Sequence, residues 1–183
     1  MNRKEFLRNC ACTVCSCAVT GVIAPAVLAS DEKKPTDDWR LSFVKDRYAK
    51  LISILAEQMD EKELSGVLRK LGSHCASQYP LIQQYKGDIA GFISEFKKRS
   101  NEEISFDSDK GVITVVGADR GDCFCPLIDR HIAPKSVCNC SLGWQQYAYE
   151  TVLGKKVEVD LKESVVRGGT RCIFQIRVLE SVG

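Results

Sequence analysis

Four of the ten cysteines in this sequence stand in two matched pairs, Cys123-Phe-Cys125 and Cys138-Asn-Cys140, with twelve residues between the pairs. Because alternate residues of an extended strand point to the same face, each pair can direct two sulfur atoms at one point. Two thiols so close in sequence rarely form a disulfide with each other, since its geometry would be strained. The pairs therefore predict a four-thiolate metal site, with zinc ahead of an iron–sulfur cluster. Disulfides or redox-active thiols joining the two pairs, and unlinked buried cysteines without any cofactor, stay open as alternatives.

Five further side chains could take part in this chemistry. Cys75 stands near the end of a predicted helix and is interpreted either as a nucleophile or ligand lining a pocket, or as a small buried residue. His131, in the loop between the pairs, could replace a thiolate or act as the base for Cys75. His74 is the poorer partner, because adjacent residues on a helix point about 100° apart. Glu163 and Cys172 could meet across a hairpin and bind a metal, or be a surface carboxylate and a buried thiol.

Other classes of site have no support in the sequence. No Ser-His-Asp set, phosphate-binding glycine loop or pair of carboxylates presents itself. Without residues 1–29 the chain has equal numbers of basic and acidic residues, so we expect no basic surface that would draw it to nucleic acid or to an anionic membrane. A domain of about 150 residues can bury a sufficient core without disulfides, so the cysteines are not needed to hold the fold together.

The N-terminus has the three parts of an export signal. Arg3, Lys4 and Arg8 precede a stretch without charge that ends in small residues, and cleavage is predicted after Ala29. Residues 2–8 resemble a twin-arginine export motif with Arg-Lys in place of Arg-Arg, and that route carries folded proteins. An uncleaved membrane anchor is the alternative. After cleavage we expect a periplasmic protein without stable membrane insertion.

Apolar periodicity predicts helices followed by a mostly antiparallel sheet. Helices are predicted from residue 37 to 59, from an N-cap at Asp60 to about residue 77, after Asp88, and from a cap at Ser141 to Gly154. Strands are predicted at 103–106, 112–116, 157–161 and 172–178, with residues 122–125 continuing a strand. The chain is thus expected to contain an export signal (1–29), a linker (30–36) and one α+β domain (37–183) with one helix packed on the sheet.

A resemblance to a known family rests on three groups of residues. They are Gly72-Ser-His-Cys75-Ala, the two cysteine pairs with Pro126 and Gly143-Trp144, and an ending that contains Val157-Glu-Val159, Glu163-Ser164, Gly168-Gly169 and Cys172-x-Phe174. Between about Leu64 and Val178 the chain resembles the 4-vinyl-reductase-type small-molecule-binding domains and the related aminothiazoline-carboxylate hydrolase-like proteins.

The resemblance implies an α+β domain with a buried pocket for a small-molecule ligand, often in a homodimer. Some members of the family hold zinc through cysteines and a glutamate, which here implies Cys140, Glu163 and Cys172 as ligands. A further cysteine expected shortly after the glutamate is replaced by Val165 or Val166. The paired cysteines would then take over its role.

These observations favour an exported domain that binds a small molecule and has a metal or redox-thiol site at Cys123, Cys125, Cys138 and Cys140, with Cys75 facing the ligand. One alternative is a hydrolase of a small cyclic amide or thiazoline, which would use a metal-activated water or Cys75. The other is a disulfide-stapled binding module without catalysis.

Overall fold

The structure, a computed structural model, describes residues 39–179. In that range the helices are α1 (Trp39–Gln58), α2 (Glu61–Ser77), α3 (Pro80–Gln84), α4 (Ile89–Ser100) and α5 (Cys138–Leu153), with 3-10 turns at Lys135–Val137 and Val165–Arg167. The strands are β1 (Glu103–Asp107), β2 (Val112–Val116), β3 (Val157–Glu163) and β4 (Ile173–Val178). They form one sheet in the order β1-β2-β4-β3, and every neighbouring pair is antiparallel. The α+β prediction is confirmed, whereas the predicted export signal and linker lie outside the described residues.

The helix boundaries follow from local capping groups. Asp60 accepts a hydrogen bond from the Glu63 N–H at 2.8 Å, and the Glu63 carboxylate accepts one from the Asp60 N–H at 3.3 Å. This reciprocal capping box satisfies two backbone donors at the start of α2. Asp88 caps α4 by accepting from the Gly91 N–H at 2.8 Å. Helix α5 ends at Gly154, whose φ of 65° lies in the left-handed region that glycine adopts without strain.

The main hydrophobic core lies between one face of the sheet and α3, α4 and α5. Alternate strand residues point to this face, and the pairing register sets Ile113 opposite Ile176 and Val115 opposite Phe174. Helices α4 and α5 cover them with Phe92, Phe96, Ala148, Tyr149 and Val152, all buried. Burial of these large apolar side chains is the main stabilising contribution that the core makes.

A second core cluster joins α1, α2, the loop after β2 and the two 3-10 turns. Its buried members are Ile52, Leu64, Leu68, Ile128, Val137, Cys138, Val165 and Val166. Segments far apart in sequence therefore meet here, and several cysteines pack against them. This cluster positions the side chains considered below.

Helices α2 and α5 approach each other closely because glycines stand at their contact. A Cβ atom at Gly72 would overlap the carbonyl oxygen of Cys140, and one at Gly143 would overlap the carbonyl oxygen of Arg69. The Ser73 hydroxyl lies between the two backbones, 3.0 Å from the Arg69 carbonyl oxygen and 3.2 Å from that of Gly143. The small residues let the two helix backbones touch, which fixes the start of α5 against α2.

Two local predictions are wrong. Residues 122–125 form a loop rather than a strand. Helix α5 begins at Cys138, three residues before the predicted cap at Ser141, because the 3-10 turn after Pro134 leads directly into it. The apolar face of α2 is only partly buried, since Val67 and Leu71 are exposed. No helix within residues 39–179 is long and apolar enough to cross a membrane.

Candidate functional site

Five cysteines line one small cavity, which we call the thiol pocket. They are Cys123 and Cys125 from the loop after β2, Cys138 and Cys140 from the first turn of α5, and Cys172 from the residue before β4. The cavity has a volume of about 30 Å³. Apolar side chains complete most of its wall, with the hydroxyl groups of Tyr48, Ser141 and Ser164 as polar additions. The two predicted pairs are therefore brought together, and Cys172 joins them.

The pair in α5 does not have the extended geometry expected of it. Residues two apart on a helix are turned by about 200°, so Cys138 and Cys140 face nearly opposite directions. The Cys138 sulfur lies 3.1 Å from the Ser164 hydroxyl oxygen, and the Cys140 sulfur lies 3.5 Å from the Tyr48 hydroxyl oxygen. The expectation that both sulfurs point to one face is wrong for this pair, although both side chains border the pocket.

The other three cysteines are held by their loops. A turn after Cys125 brings the Ile128 N–H to the Cys125 carbonyl oxygen at 3.1 Å. The carbonyl oxygen of Cys172 accepts a hydrogen bond from the Gly117 N–H at 2.8 Å, at the end of β2. Cys123 stands next to Asp122, whose carboxylate accepts from the Cys123 N–H at 2.7 Å. Backbone contacts therefore anchor each of these segments at the pocket.

Hydrogen-bond donors face the sulfur atoms of Cys123, Cys125 and Cys172. They are the backbone N–H groups of Cys125, Leu127, Ile128 and Val165 and the hydroxyl group of Ser164. Donors of this kind favour the thiolate over the neutral thiol. In known metal sites, donors of this kind orient the thiolate ligands.

Burial has the largest influence on these thiols and raises the pKa of Cys123 to about 12. It also raises the pKa values of Cys125, Cys140 and Cys172, and neighbouring thiols add to the effect while the hydrogen-bond donors oppose it. Neither a lysine nor an arginine lines the pocket. At neutral pH these four thiols are therefore protonated without a bound cation, and a cation that binds them must displace their protons.

The ligand set is not preformed. Within residues 39–179, no three His, Cys, Asp or Glu side chains converge in an arrangement that could hold one metal ion. The six cysteines of the described region all have free thiols. The residue types and their shared cavity suit a soft metal ion, but the sulfurs would have to turn inward to bind it.

The remaining residues predicted from the sequence lie outside the thiol pocket. His131 is exposed in the loop, where its backbone N–H donates to the Asp129 carboxylate at 2.9 Å, and His74 is exposed on α2. Glu163 closes the β3–β4 connection by accepting from the Thr170 N–H at 2.7 Å and the Arg171 N–H at 3.2 Å. Those donors hold the pKa of the Glu163 carboxyl group below its usual range.

Tyr48 and Ser164 are pocket residues that sequence reasoning missed. Tyr48 lies on α1 among apolar residues at helical spacing, a pattern that indicates a core position. Burial, the hydrogen bond with Cys140 and nearby thiols raise the pKa of its hydroxyl. Ser164 precedes the 3-10 turn, and its hydroxyl also accepts from the Val166 N–H at 3.2 Å. The sequence signal available for Ser164 was its position directly after Glu163.

A second and larger cavity, which we call the aromatic cavity, has a volume of about 200 Å³. Its lining consists of Cys75, Gln78, Tyr79, Phe96, Arg99, Ser100, Phe124 and Trp144. Cys75 is exposed here, so its interpretation as a small buried residue is wrong and it does line a pocket. Phe124 stands between the two cysteines of the loop pair, so the segment 123–125 borders both cavities.

Comparisons with known proteins give matches of fold. No protein-family model and no curated protein matches the chain. Among solved structures, the phenol-responsive sensory domain of the transcription activator PoxR with phenol is 14% identical, with 75% of each chain covered and a TM-score of 0.50. Trafficking protein particle complex subunit 3 from Naegleria fowleri, covalently bound to palmitic acid, is 16% identical, with 79% of this chain and 98% of that chain covered and a TM-score of 0.45.

A vinyl-4-reductase family protein from Methanocaldococcus jannaschii is also a structural neighbour. It is 13% identical, with 78% of this chain and 90% of that chain covered and a TM-score of 0.39. The resemblance predicted from the sequence thus has a counterpart among the structural neighbours, at low identity. At these identities the likeness to the PoxR sensory domain shows the fold that this chain shares.

Proposed function

We propose that this protein is a small-molecule-binding domain whose thiol pocket holds a soft metal through cysteine thiolates, with a single zinc ion ahead of an iron–sulfur cluster. The observation that carries the proposal is that five cysteines from three separate segments line one cavity of about 30 Å³. The ligand-binding part is supported by the fold shared with a sensory domain described with bound phenol.

The donor atoms select the class of metal. Thiolate sulfur favours zinc, copper(I) and iron–sulfur clusters, whereas magnesium and calcium require oxygen ligands. A cavity of roughly 10–15 Å³ holds one water molecule, so the pocket, at about 30 Å³, has room for about two atoms of that size. A single ion suits that space better than a cluster of several atoms or an organic molecule.

The surroundings of the sulfurs favour thiolates only when a cation is bound. Burial raises the pKa values of Cys123, Cys125, Cys140 and Cys172 and so keeps these four thiols neutral. Donors from the backbone and from Ser164 already face the sulfurs and would stabilise the thiolates once protons leave. The predicted twin-arginine-type signal would fit this proposal, because a protein exported in its folded state can take up metal in a reducing compartment first.

The test is the metal content of the full chain, purified without chelator and measured by elemental mass spectrometry together with thiol titration. We expect about one equivalent of zinc with free thiols. Cys140→Ser should lose most of that zinc, whereas Cys75→Ser should keep it, because Cys75 lines the other cavity. Since Cys140→Ser can also disturb packing, its circular dichroism spectrum is compared with that of Cys75→Ser.

A second measurement does not depend on which metal the cell supplies. Cadmium added to the reduced protein should give sulfur-to-metal charge-transfer absorption that weakens in Cys123→Ser and is unchanged in His131→Ala, since His131 is exposed in the loop. Protein that takes up neither zinc nor cadmium would overturn the proposal. Mass mapping that finds Cys123 or Cys125 bridged to Cys138 or Cys140 would establish the disulfide-stapled alternative.

A further inference from the structure

The aromatic cavity lies on the other side of the segment 123–125 from the thiol pocket. Cys123 and Cys125 border the pocket, while the ring of Phe124 between them borders the aromatic cavity. We propose that this cavity binds a single-ring aromatic molecule that carries a carboxylate group. The inference deepens the proposed small-molecule-binding function by naming a class of ligand, and it does not require a metal in the thiol pocket.

Three of the lining rings form a fixed aromatic wall. The Tyr79 and Phe96 ring centres are 6.2 Å apart with the rings perpendicular, and the Phe96 and Trp144 ring centres are 5.8 Å apart. Tyr79 and Trp144 also contact each other, with centres 6.2 Å apart. A flat ligand ring placed against this wall can make the offset and edge contacts that aromatic pairs prefer.

Phe124 provides the outer wall of the cavity, and its exposure is unusually high for so large an apolar ring. Its side chain is 62% exposed, so burial does not explain its position. The Arg120 guanidinium lies 5.4 Å from the Phe124 ring centre and donates to the Ser100 carbonyl oxygen at 2.5 Å. Arg120 therefore ties Phe124 to the end of α4 next to the cavity, and a bound ring would cover part of the exposed surface.

The volume limits the ligand to one ring with a small substituent. An apolar cavity of roughly 150 Å³ accommodates benzene, and this cavity has about 200 Å³. The difference is about the space that a carboxylate group needs. The lining has enough apolar surface to bind the ring and enough polar groups at its edge to orient it, which is the usual composition of a small-molecule site.

The polar edge is positively charged. Arg99 lines the cavity and pairs with the Glu95 carboxylate through Nε at 2.8 Å. In the described part of the chain its two terminal nitrogens have no acceptor, so they remain for a second carboxylate in the parallel geometry that arginine favours. Arg120 adds a second guanidinium nearby, and no acidic side chain lines the cavity. This charge selects a carboxylate over an amine.

The experiment uses 4-nitrobenzoate as the probe, because it has one ring and one carboxylate and quenches tryptophan fluorescence. The chain contains two tryptophans, Trp39 and Trp144, so Trp39→Phe leaves only the tryptophan that lines the cavity. In this background we expect 4-nitrobenzoate to quench the fluorescence in a saturable way. Cyclohexanecarboxylate, which lacks an aromatic ring, should compete with it only weakly. Arg99→Gln should weaken binding about tenfold or more, because it removes a charged hydrogen bond.

Phe124→Leu should weaken binding by about three- to tenfold, because the outer aromatic contact is lost. Lys70→Gln, an exposed change on α2, is the control and should leave the affinity unchanged. Circular dichroism of every variant verifies that it is folded. Absence of saturable quenching in the folded parent protein would overturn the inference, and so would quenching that neither Arg99→Gln nor Phe124→Leu weakens.

Titrations on metal-loaded and chelator-treated protein separate this inference from the metal proposal. Binding of 4-nitrobenzoate by protein that takes up neither zinc nor cadmium would support the aromatic site and refute the metal site. Zinc uptake without any saturable quenching would refute the aromatic site alone. The two proposals therefore fail independently.

Discussion

The contact between α2 and α5 predicts that Gly72 does not tolerate a single added methyl group. The Cβ atom of Gly72→Ala would overlap the Cys140 carbonyl oxygen and lie 2.9 Å from the Trp144 backbone nitrogen. Both obstacles belong to the backbone of α5, which cannot rotate away as a side chain can. The two helices must therefore separate, or the first turn of α5 must move.

The magnitude follows from two opposing effects. Alanine in place of glycine inside a helix stabilises by about 0.5–1 kcal/mol. Overpacking a close contact costs about 1–3 kcal/mol, and a clash between backbones belongs at the upper end of that range. The net expectation is a loss of about 2 kcal/mol, which corresponds to a fall in Tm of about 4–8 °C for a domain of this size.

Gly66 gives a matched control on the same helix. A Cβ atom at Gly66 would meet no atom within 4 Å, so Gly66→Ala should stabilise the protein by about 0.5–1 kcal/mol. Urea unfolding followed by circular dichroism measures both variants, and the two are expected to change stability in opposite directions. If Gly72→Ala proved as stable as Gly66→Ala, the helices would not be in the contact described here.

The Gly72→Ala variant also tests how the thiol pocket is positioned. The carbonyl group that it displaces belongs to Cys140, whose sulfur borders the pocket. Zinc uptake should therefore weaken in Gly72→Ala under conditions where the protein is still folded, and should stay unchanged in Gly66→Ala. Unchanged uptake in both would show that the start of α5 is not held by this contact.

Four further predictions concern the thiols, a buried carboxyl group and a helix cap. Iodoacetamide should modify the exposed Cys75 faster than the pocket cysteines; mass mapping over time checks this, and equal rates would contradict it. Because folding raises the pKa of Cys123 from 9.0 to about 12, the unfolded state loses that proton first, and urea titrations of metal-free protein should show stability falling between about pH 9 and 12. Burial raises the pKa of Glu102 from 4.5 to about 7. The stability that the neutral Glu102 carboxyl group contributes to the fold is therefore lost as the pH rises through 7. Glu102→Gln should then stabilise by about 1–2 kcal/mol at pH 8 and not at pH 4, with the exposed Glu103→Gln as control. Asp60→Ala should cost about 1 kcal/mol in thermal unfolding, because it removes the capping box of α2.

Local chemistry explains why most of the elements could be predicted. The Asp60 cap and the alternating apolar residues of the strands act within a few residues, so the sequence shows them directly. The start of α5 could not be read in the same way. Its N-cap residue, Val137, has no capping side chain, and the helix begins there because a 3-10 turn precedes it. Ser141, which has the expected chemistry of a cap, lies inside the helix.

The sequence predicted which paired cysteines form the candidate site, but it did not predict how their side chains are oriented. Both cysteine pairs line one pocket, but for a reason unlike the alternation first assumed, since Cys138 and Cys140 diverge on a helix. Tyr48 could not be found from local patterns, because it reaches Cys140 from a helix 92 residues earlier in the chain. Only tertiary packing of α1 against the second core cluster brings these two side chains together.

The segment 123–125 gives a physical reason to consider the two cavities together. Metal binding by Cys123 and Cys125 would fix two of its three residues, and the third, Phe124, is the exposed wall of the aromatic cavity. If Phe124 is already ordered, it loses less conformational entropy when a ligand binds against its ring. By linkage, a ligand that orders Phe124 must favour the metal to the same extent. A metal and a ligand that both order this segment would therefore favour each other's binding, with Phe124 as the connection between the two cavities.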